Sequence, residues 1–154
     1  MFRHLLIPTD GSELSTNALR AGVAFARDLG ARITVFHVRQ SVLNRTDLGI
    51  YGDPLVLDPR LLEQFNRKES ERSGKLLAEA CSLARDAGVA CATESREDPI
   101  IHEAILEAAQ RHGCDLIFMA SHGRRGLAGV LLGSETQRVL SHSSLPVFVF
   151  RPPG

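Results

Sequence analysis

Five short apolar runs, each followed by a stretch long enough to hold a helix, constrain this 154-residue chain more than any other feature. They are HLLIP at 4–8, RITVFHV at 32–38, VACAT at 89–93, DLIFMA at 115–120 and PVFVF at 146–150. Short β-branched or aliphatic runs that alternate with segments of helical period are the signature of a parallel α/β sheet. DLIFMA is wholly apolar after its aspartate, as a central strand covered on both faces requires. PVFVF is short, apolar and near the last residue, which suits a sheet edge.

The intervening segments carry helix signals. After the first run, Ser12 or Ser15 can cap a helix whose apolar positions Ala18, Gly22, Phe25, Ala26 and Leu29 recur at three and four, with Gly30 as its stop. Residues 39–59 keep no period and contain Gly49, Gly52, Pro54 and Pro59, so they are expected to form a long surface connection. Residues 60–87 return to helical spacing around a polar centre, NRKESERSGK, read as a solvated helix face. Asp98 is expected to cap a third helix with Pro99 at its first position, Ile101, Ile105 and Ala108 inward, and Gly113 at its end. Residues 134–141 form a fourth helical segment. Length and pattern together predict one domain over 1–154, with no repeat or linker.

Charge and cysteine content narrow the function. Eighteen basic and eighteen acidic side chains cancel, giving a sequence pI near 7.0, so the overall field that draws proteins to nucleic acid or anionic membrane is absent. Anion binding, if present, must be local. The apolar run at the amino end stops at Pro8, too short for a signal region or a membrane span, and a cytoplasmic location is expected. Cys81, Cys91 and Cys114 form no CxxC pair and each falls in an apolar pattern, which reads as three buried, reduced thiols. The six histidines offer no HxxxH or HExxH spacing for a metal.

One junction concentrates glycine. Directly after DLIFMA the chain reads SHGRRGLAGVLLGSETQRVL, with Gly123, Gly126, Gly129 and Gly133 before the fourth helix. In open parallel sheets, ligands bind at the carboxyl ends of the strands, and free amides at a helix start favour an anion such as phosphate. A P-loop is excluded, because the only lysines are Lys68 and Lys75; a dinucleotide fingerprint is excluded, because no two of the 13 glycines stand two apart. What remains is Ser121, His122, Gly123, nine residues, then Gly133 and Ser134. Either this segment cradles phosphate, with the Gly123 amide, close backbone approach at Gly133 and the Ser134 hydroxyl, or its glycines only make a tight connection. A second group, PTDGS at 8–12, places Asp10 where a carboxylate can accept from ribose hydroxyls if the first and fourth strands are neighbours; an ordinary turn is the alternative.

Several segments together resemble the universal stress protein family: LLIPTDGSELSTNAL, TVFHV, DPIIHEAILEAA, DLIFMASHGRRG, LLGS and LPVFVF, over nearly the whole chain. The ATP-binding branch of that family carries Gly-x-x-Gly, nine residues, then Gly-Ser/Thr, which falls here on Ala120 to Gly123 and on Gly133-Ser134, with only the first glycine replaced. Glu97 also departs, standing where many relatives have glycine. The resemblance implies a doubly wound, Rossmann-like fold of the adenine nucleotide alpha hydrolase type, with about five parallel strands and about four helices. It implies ATP, with Mg²⁺, held by Thr9, Asp10, the backbone at Val38, and the loop at Ala120, His122, Gly123, Gly133, Ser134 and Glu135. It further implies a homodimer through residues 146–150 and a regulatory role in stress response. Two alternatives stay open: a dimeric interaction module of the same fold without nucleotide, and a slow ATP-hydrolysing enzyme. No catalytic base stands out, and His122 serves equally well to orient the loop.

Overall fold

A computed structural model describes residues 1–41, 58–122 and 132–153. The expected connection at 39–59 and most of the glycine-rich junction, Gly123 included, lie largely outside these residues. The elements run β1 (His4–Pro8), α1 (Glu13–Leu29), β2 (Arg32–Arg39), α2 (Pro59–Asp86), β3 (Cys91–Glu97), α3 (Ile101–Arg111), β4 (Leu116–Ala120), α4 (Ser134–His142) and β5 (Val147–Phe150). The five strands form one parallel sheet in the order β3-β2-β1-β4-β5. This is the doubly wound arrangement that the alternating pattern demands.

Strand alternation sorts the core into two layers. Leu5, Ile7, Ile33, Val35 and Phe118 face α1 and α2, together with Leu19, Val23, Leu77 and Ala84. Leu6, Phe36, Ile117 and Met119 face the other way, with Ala104, Ile105, Ala108 and Val139 of α3 and α4. Leu5, Leu6 and Ile7 are fully buried, and each such side chain contributes about 1.5–3 kcal/mol over an exposed one. α1 lies close to the sheet at Gly22, where a Cβ would stand 2.8 Å from Ile7 Cδ1 and 3.1 Å from the Phe118 ring.

Helix ends follow the local chemistry, with informative departures. Ser12 is the N-cap of α1, its hydroxyl accepting from the Ser15 amide at 3.2 Å, and Gly30 ends the helix in the left-handed region at φ 66°. β3 starts at Cys91 rather than at 89, and it runs to Glu97. Val89 and Ala90 belong to the turn out of α2: the Val89 amide donates to Ala84 and the Ala90 carbonyl accepts from Ile33. The strand then pairs with β2 along its whole length, Ile33 opposite Cys91 through Arg39 opposite Glu97. Polar residues are tolerated there because every residue of this edge strand is at least partly exposed.

α3 likewise begins two residues later than the Asp-Pro signal suggests. Asp98 does accept a backbone bond, from Ile100 at 2.9 Å, yet it caps a turn ahead of the helix, whose own N-cap is Ile100 with no side-chain bond. The cysteine expectation fails for two of three: Cys81 in α2 and Cys91 at the head of β3 are joined as a disulfide, with Cα atoms 5.6 Å apart. Their helical and strand patterns gave no hint that the turn at Gly88 brings them together. Cys114 is free and buried, and burial pushes its thiol up to about 11. Within the polar centre of α2, Ser73 departs from the solvated reading. It is 1% exposed, donates its one hydroxyl proton to Ser95 at 2.7 Å, and lies 2.8 Å from His37 Nδ1, from which it can accept.

Candidate functional site at the carboxyl end of the sheet

β1 pairs with β4 on one side, Leu5 opposite Leu116 and Leu6 opposite Ile117, and with β2 on the other. The chain leaves β1 for α1 on one face and leaves β4 for α4 on the opposite face. The two connections diverge between these neighbouring strands, and that divergence is the crevice where open α/β sheets take ligands. Asp10 and the β4–α4 junction therefore stand at adjacent strand ends.

The PTDGS segment is a built turn. Thr9 is buried, its amide donating to Phe36 at 2.9 Å. Its hydroxyl lies 3.1 Å from the Ser15 hydroxyl and accepts from the Gly11 amide at 3.3 Å, so the side chain braces the turn. Gly11 takes φ 77°, a conformation that glycine adopts without strain. Asp10 Oδ1 accepts from the Ser12 amide at 2.9 Å, which fixes the carboxylate at the mouth of the crevice. Val38, next to last in β2, is half-buried against the α3 and α4 layer.

Across the crevice, Ala120 ends β4 opposite Phe150. Among the described residues no non-glycine has positive φ, so alanine fits this position with ordinary strand geometry. Its carbonyl accepts from the buried Thr136 hydroxyl at 3.1 Å, which ties α4 to β4. Ser121 donates its amide to Phe150 at 2.9 Å and accepts from the Gly133 amide at 2.8 Å. That last bond closes the neck of the loop and pins its two ends. It also uses the Gly133 amide internally, and a Cβ on Gly133 would stand 2.9 Å from His122 Cβ and 3.0 Å from its Cα. Glycine is thus required at 133 by the His122 backbone, and φ of −69° there plays no part.

α4 begins at Ser134, which is exposed, and no side chain caps its first turn. Its amides and dipole favour an anion. The Glu135 side chain points elsewhere: Oε2 accepts from the His102 amide at 3.0 Å and lies 3.6 Å from His102 Nδ1, while Oε1 pairs with Arg138 at 2.8 Å. Glu135 supplies the cap that α3 lacks of its own. His122 sits at the neck with Nδ1 3.2 Å from the Ser121 hydroxyl.

The profile of the universal stress protein family matches residues 1–151. The chain belongs to this family. Universal stress protein YxiE of Bacillus subtilis is 33% identical over 153 residues, covering 98% of this chain and all of the relative. Universal stress protein MJ0577 of Methanocaldococcus jannaschii is 30% identical over 164 residues, covering 98% and 96%. A solved structure of MJ0577 aligns over 100% of this chain and 99% of its own at TM-score 0.81 and 26% identity. A universal stress protein in complex with cAMP shares the fold at TM-score 0.69 and 20% identity over 99% of each chain.

For this universal stress protein, the fold brings Thr9, Asp10 and Val38 to one side of the crevice and Ala120, His122, Gly133 and Ser134 to the other. Gly123 lies outside the described residues, and the Glu135 carboxylate is turned to α3. Sequence reasoning placed Ser121 in the loop without a role and missed Thr136 and His102; the three hold the junction together. Only Thr136 left a signal, a hydroxyl three residues before Val139 on the buried face of α4.

Proposed function

We propose that this universal stress protein binds an adenine nucleotide, ATP with Mg²⁺, across the ends of β1, β2 and β4 and serves as a single-domain regulatory protein of the cytoplasm. The observation that carries the reading is the neighbouring of Asp10 and the uncapped start of α4 on either side of the topological switch point. In it, the adenine lies by Val38, Asp10 meets the ribose, and the phosphates approach Gly123, Ser134 and the first-turn amides of α4. The residues fit that group: an exposed hydroxyl at Ser134, a helix start without a side-chain cap, and a carboxylate fixed at the mouth. Mg²⁺ would neutralise phosphate charge, with Ser134 and Asp10 as oxygen donors. The binding of an adenine mononucleotide by a protein of the same fold, cAMP in one case and dAMP in another, agrees with this ligand class.

The test combines mass spectrometry of ligands released from denatured, freshly purified protein with calorimetric ATP titration of wild type, Asp10→Ala and Gly123→Val. Nucleotide release and wild-type binding, weakened at least tenfold in both variants, are expected. Absence of binding in wild type would overturn the proposal. One observation favours a second reading, a dimeric module without nucleotide: the Gly133 amide is already bonded to Ser121. The same titration separates the two. Dimerisation through β5 belongs to both readings.

A further inference from the structure

At the opposite, amino-terminal end of the sheet two clefts share Ala90 and Cys91 in their walls. One, of about 170 Å³, is lined by Cys81, Arg85, Val89, Ala90 and Cys91. The other, of about 320 Å³, is lined by His4, Arg32, Thr34, Cys91 and His112, among others. Neither lining contains an aspartate or glutamate. The nearest acids are engaged: Glu94 with Arg111 and His112, and Asp115 with the amides of Arg3 and His4. His4 bonds Thr34 at 2.8 Å, which leaves Arg32 as the exposed charge of the larger cleft.

Cys81 and Cys91 are half-buried at this surface, whereas Cys114 is enclosed and held as a neutral thiol. The disulfide spans only ten residues and joins the last turns of α2 to an edge strand, outside both core layers except at the rim. Its sulfurs are reachable, and they face cationic and apolar surface. In a thiol-buffered compartment, exposed disulfides of this kind are the exchanging ones.

We propose that Cys91 is a site of reversible S-thiolation by a carboxylate-bearing low-molecular-weight thiol, which enters through the cleft of Arg32, His4 and His112. The small thiolate attacks Cys91 Sγ, a new S–S bond forms, and the Cys81–Cys91 bond breaks. The electron pair leaves on Cys81 Sγ as a thiolate, which takes a proton from water. Arg85, four residues on along α2 and in the same cleft, stabilises that anion. A second small thiol attacking the mixed disulfide yields the Cys91 thiol and the small symmetrical disulfide, a net two-electron reduction of the pair. Cys91 is the sulfur attacked because it lines both clefts, while Cys81 lines only the smaller. The site is independent of the nucleotide proposal, since it lies at the other ends of the strands.

The experiment uses the oxidised full chain with reduced glutathione, an anionic thiol, or cysteamine, a cationic one, at neutral pH. Products are acid-quenched, alkylated, and mapped by peptide mass spectrometry. Rates are divided by those on the urea-unfolded chain, which removes the intrinsic reactivity of each thiol. One glutathionyl group on Cys91 with Cys81 alkylated is expected, at a normalised rate about threefold above cysteamine, the size of an exposed charge interaction. Arg32→Ala removes that preference and Arg32→Lys keeps it; position 32 is exposed, so folding is not at issue. Mapping of the adduct to Cys81, equal normalised rates for the two thiols, or exchange only in urea would each overturn the proposal.

Discussion

Glu94 and His4 show how single residues couple this fold to pH. The Arg111 guanidinium bonded to Glu94, with His112 adding to it, holds its carboxyl below the ordinary 4.5 despite some desolvation. A lowered carboxyl favours the folded state above the ordinary value, and that stability is lost as pH falls from about 4.5 through the folded pKa. Burial, reinforced by Arg32 and His112, lowers His4 below 6.5. The folded state prefers the neutral imidazole, so stability present above 6.5 declines as pH falls below it. Urea titrations across pH should therefore show acid destabilisation beginning near 6.5, shallower in His4→Gln, and a second decline below about 4.5 that is reduced in Glu94→Gln. Equal slopes in wild type and both variants would show that other groups carry the linkage. Neither role was legible in the sequence. Glu94 and His112 are 18 residues apart, and only the packing of α3 across β2 and β1 brings the end of that helix to β3.

The elements were legible where the hydrophobic pattern alone decides them. β1 and β4 are buried along nearly their whole length and read as short apolar runs, and β2 reads as one interrupted by Thr34 and His37; the α1 caps are local in sequence, with Ser12 or Ser15 offered for its start and Gly30 for its end. Boundaries set by distant partners were not. The start of α3 depends on Glu135, 33 residues from His102, and the start of β3 depends on where β2 can pair. This argues two predictions about the β4–α4 junction. Gly133→Ala drives a methyl into the His122 backbone and should cost about 1–3 kcal/mol in chemical denaturation, as overpacking does; a neutral result would mean that the neck is loose. Glu135→Ala removes the cap of α3 and should cost about 1 kcal/mol, with faster amide exchange at His102. Unchanged protection there would show that Glu135 does not hold the helix.

At the scale of the molecule, the two edges of the sheet are built differently. β3 reads CATESRE, and two of its charges are paired: Arg96 with Asp98 in the turn ahead of α3 and with Glu107 of α3, at 2.7 and 2.6 Å, and Glu94 with Arg111 of α3. Charged side chains on an edge discourage another strand from adding. β5 reads VFVF, carries no charge, and leaves Phe148 44% exposed while its ring stacks on Phe118 at 4.6 Å. On the proposed dimerisation, a second copy adds to this apolar edge through antiparallel β5 strands, each supplying the backbone groups the other lacks. Sedimentation at micromolar concentration should thus give twice the 16.8 kDa chain mass. Phe148→Lys puts a charge on that edge and should shift the equilibrium toward monomer by tenfold or more, whereas Thr93→Lys on β3 should leave it unchanged. A wild-type monomer, or a dimer sensitive to the β3 change alone, would reverse the assignment of the edges.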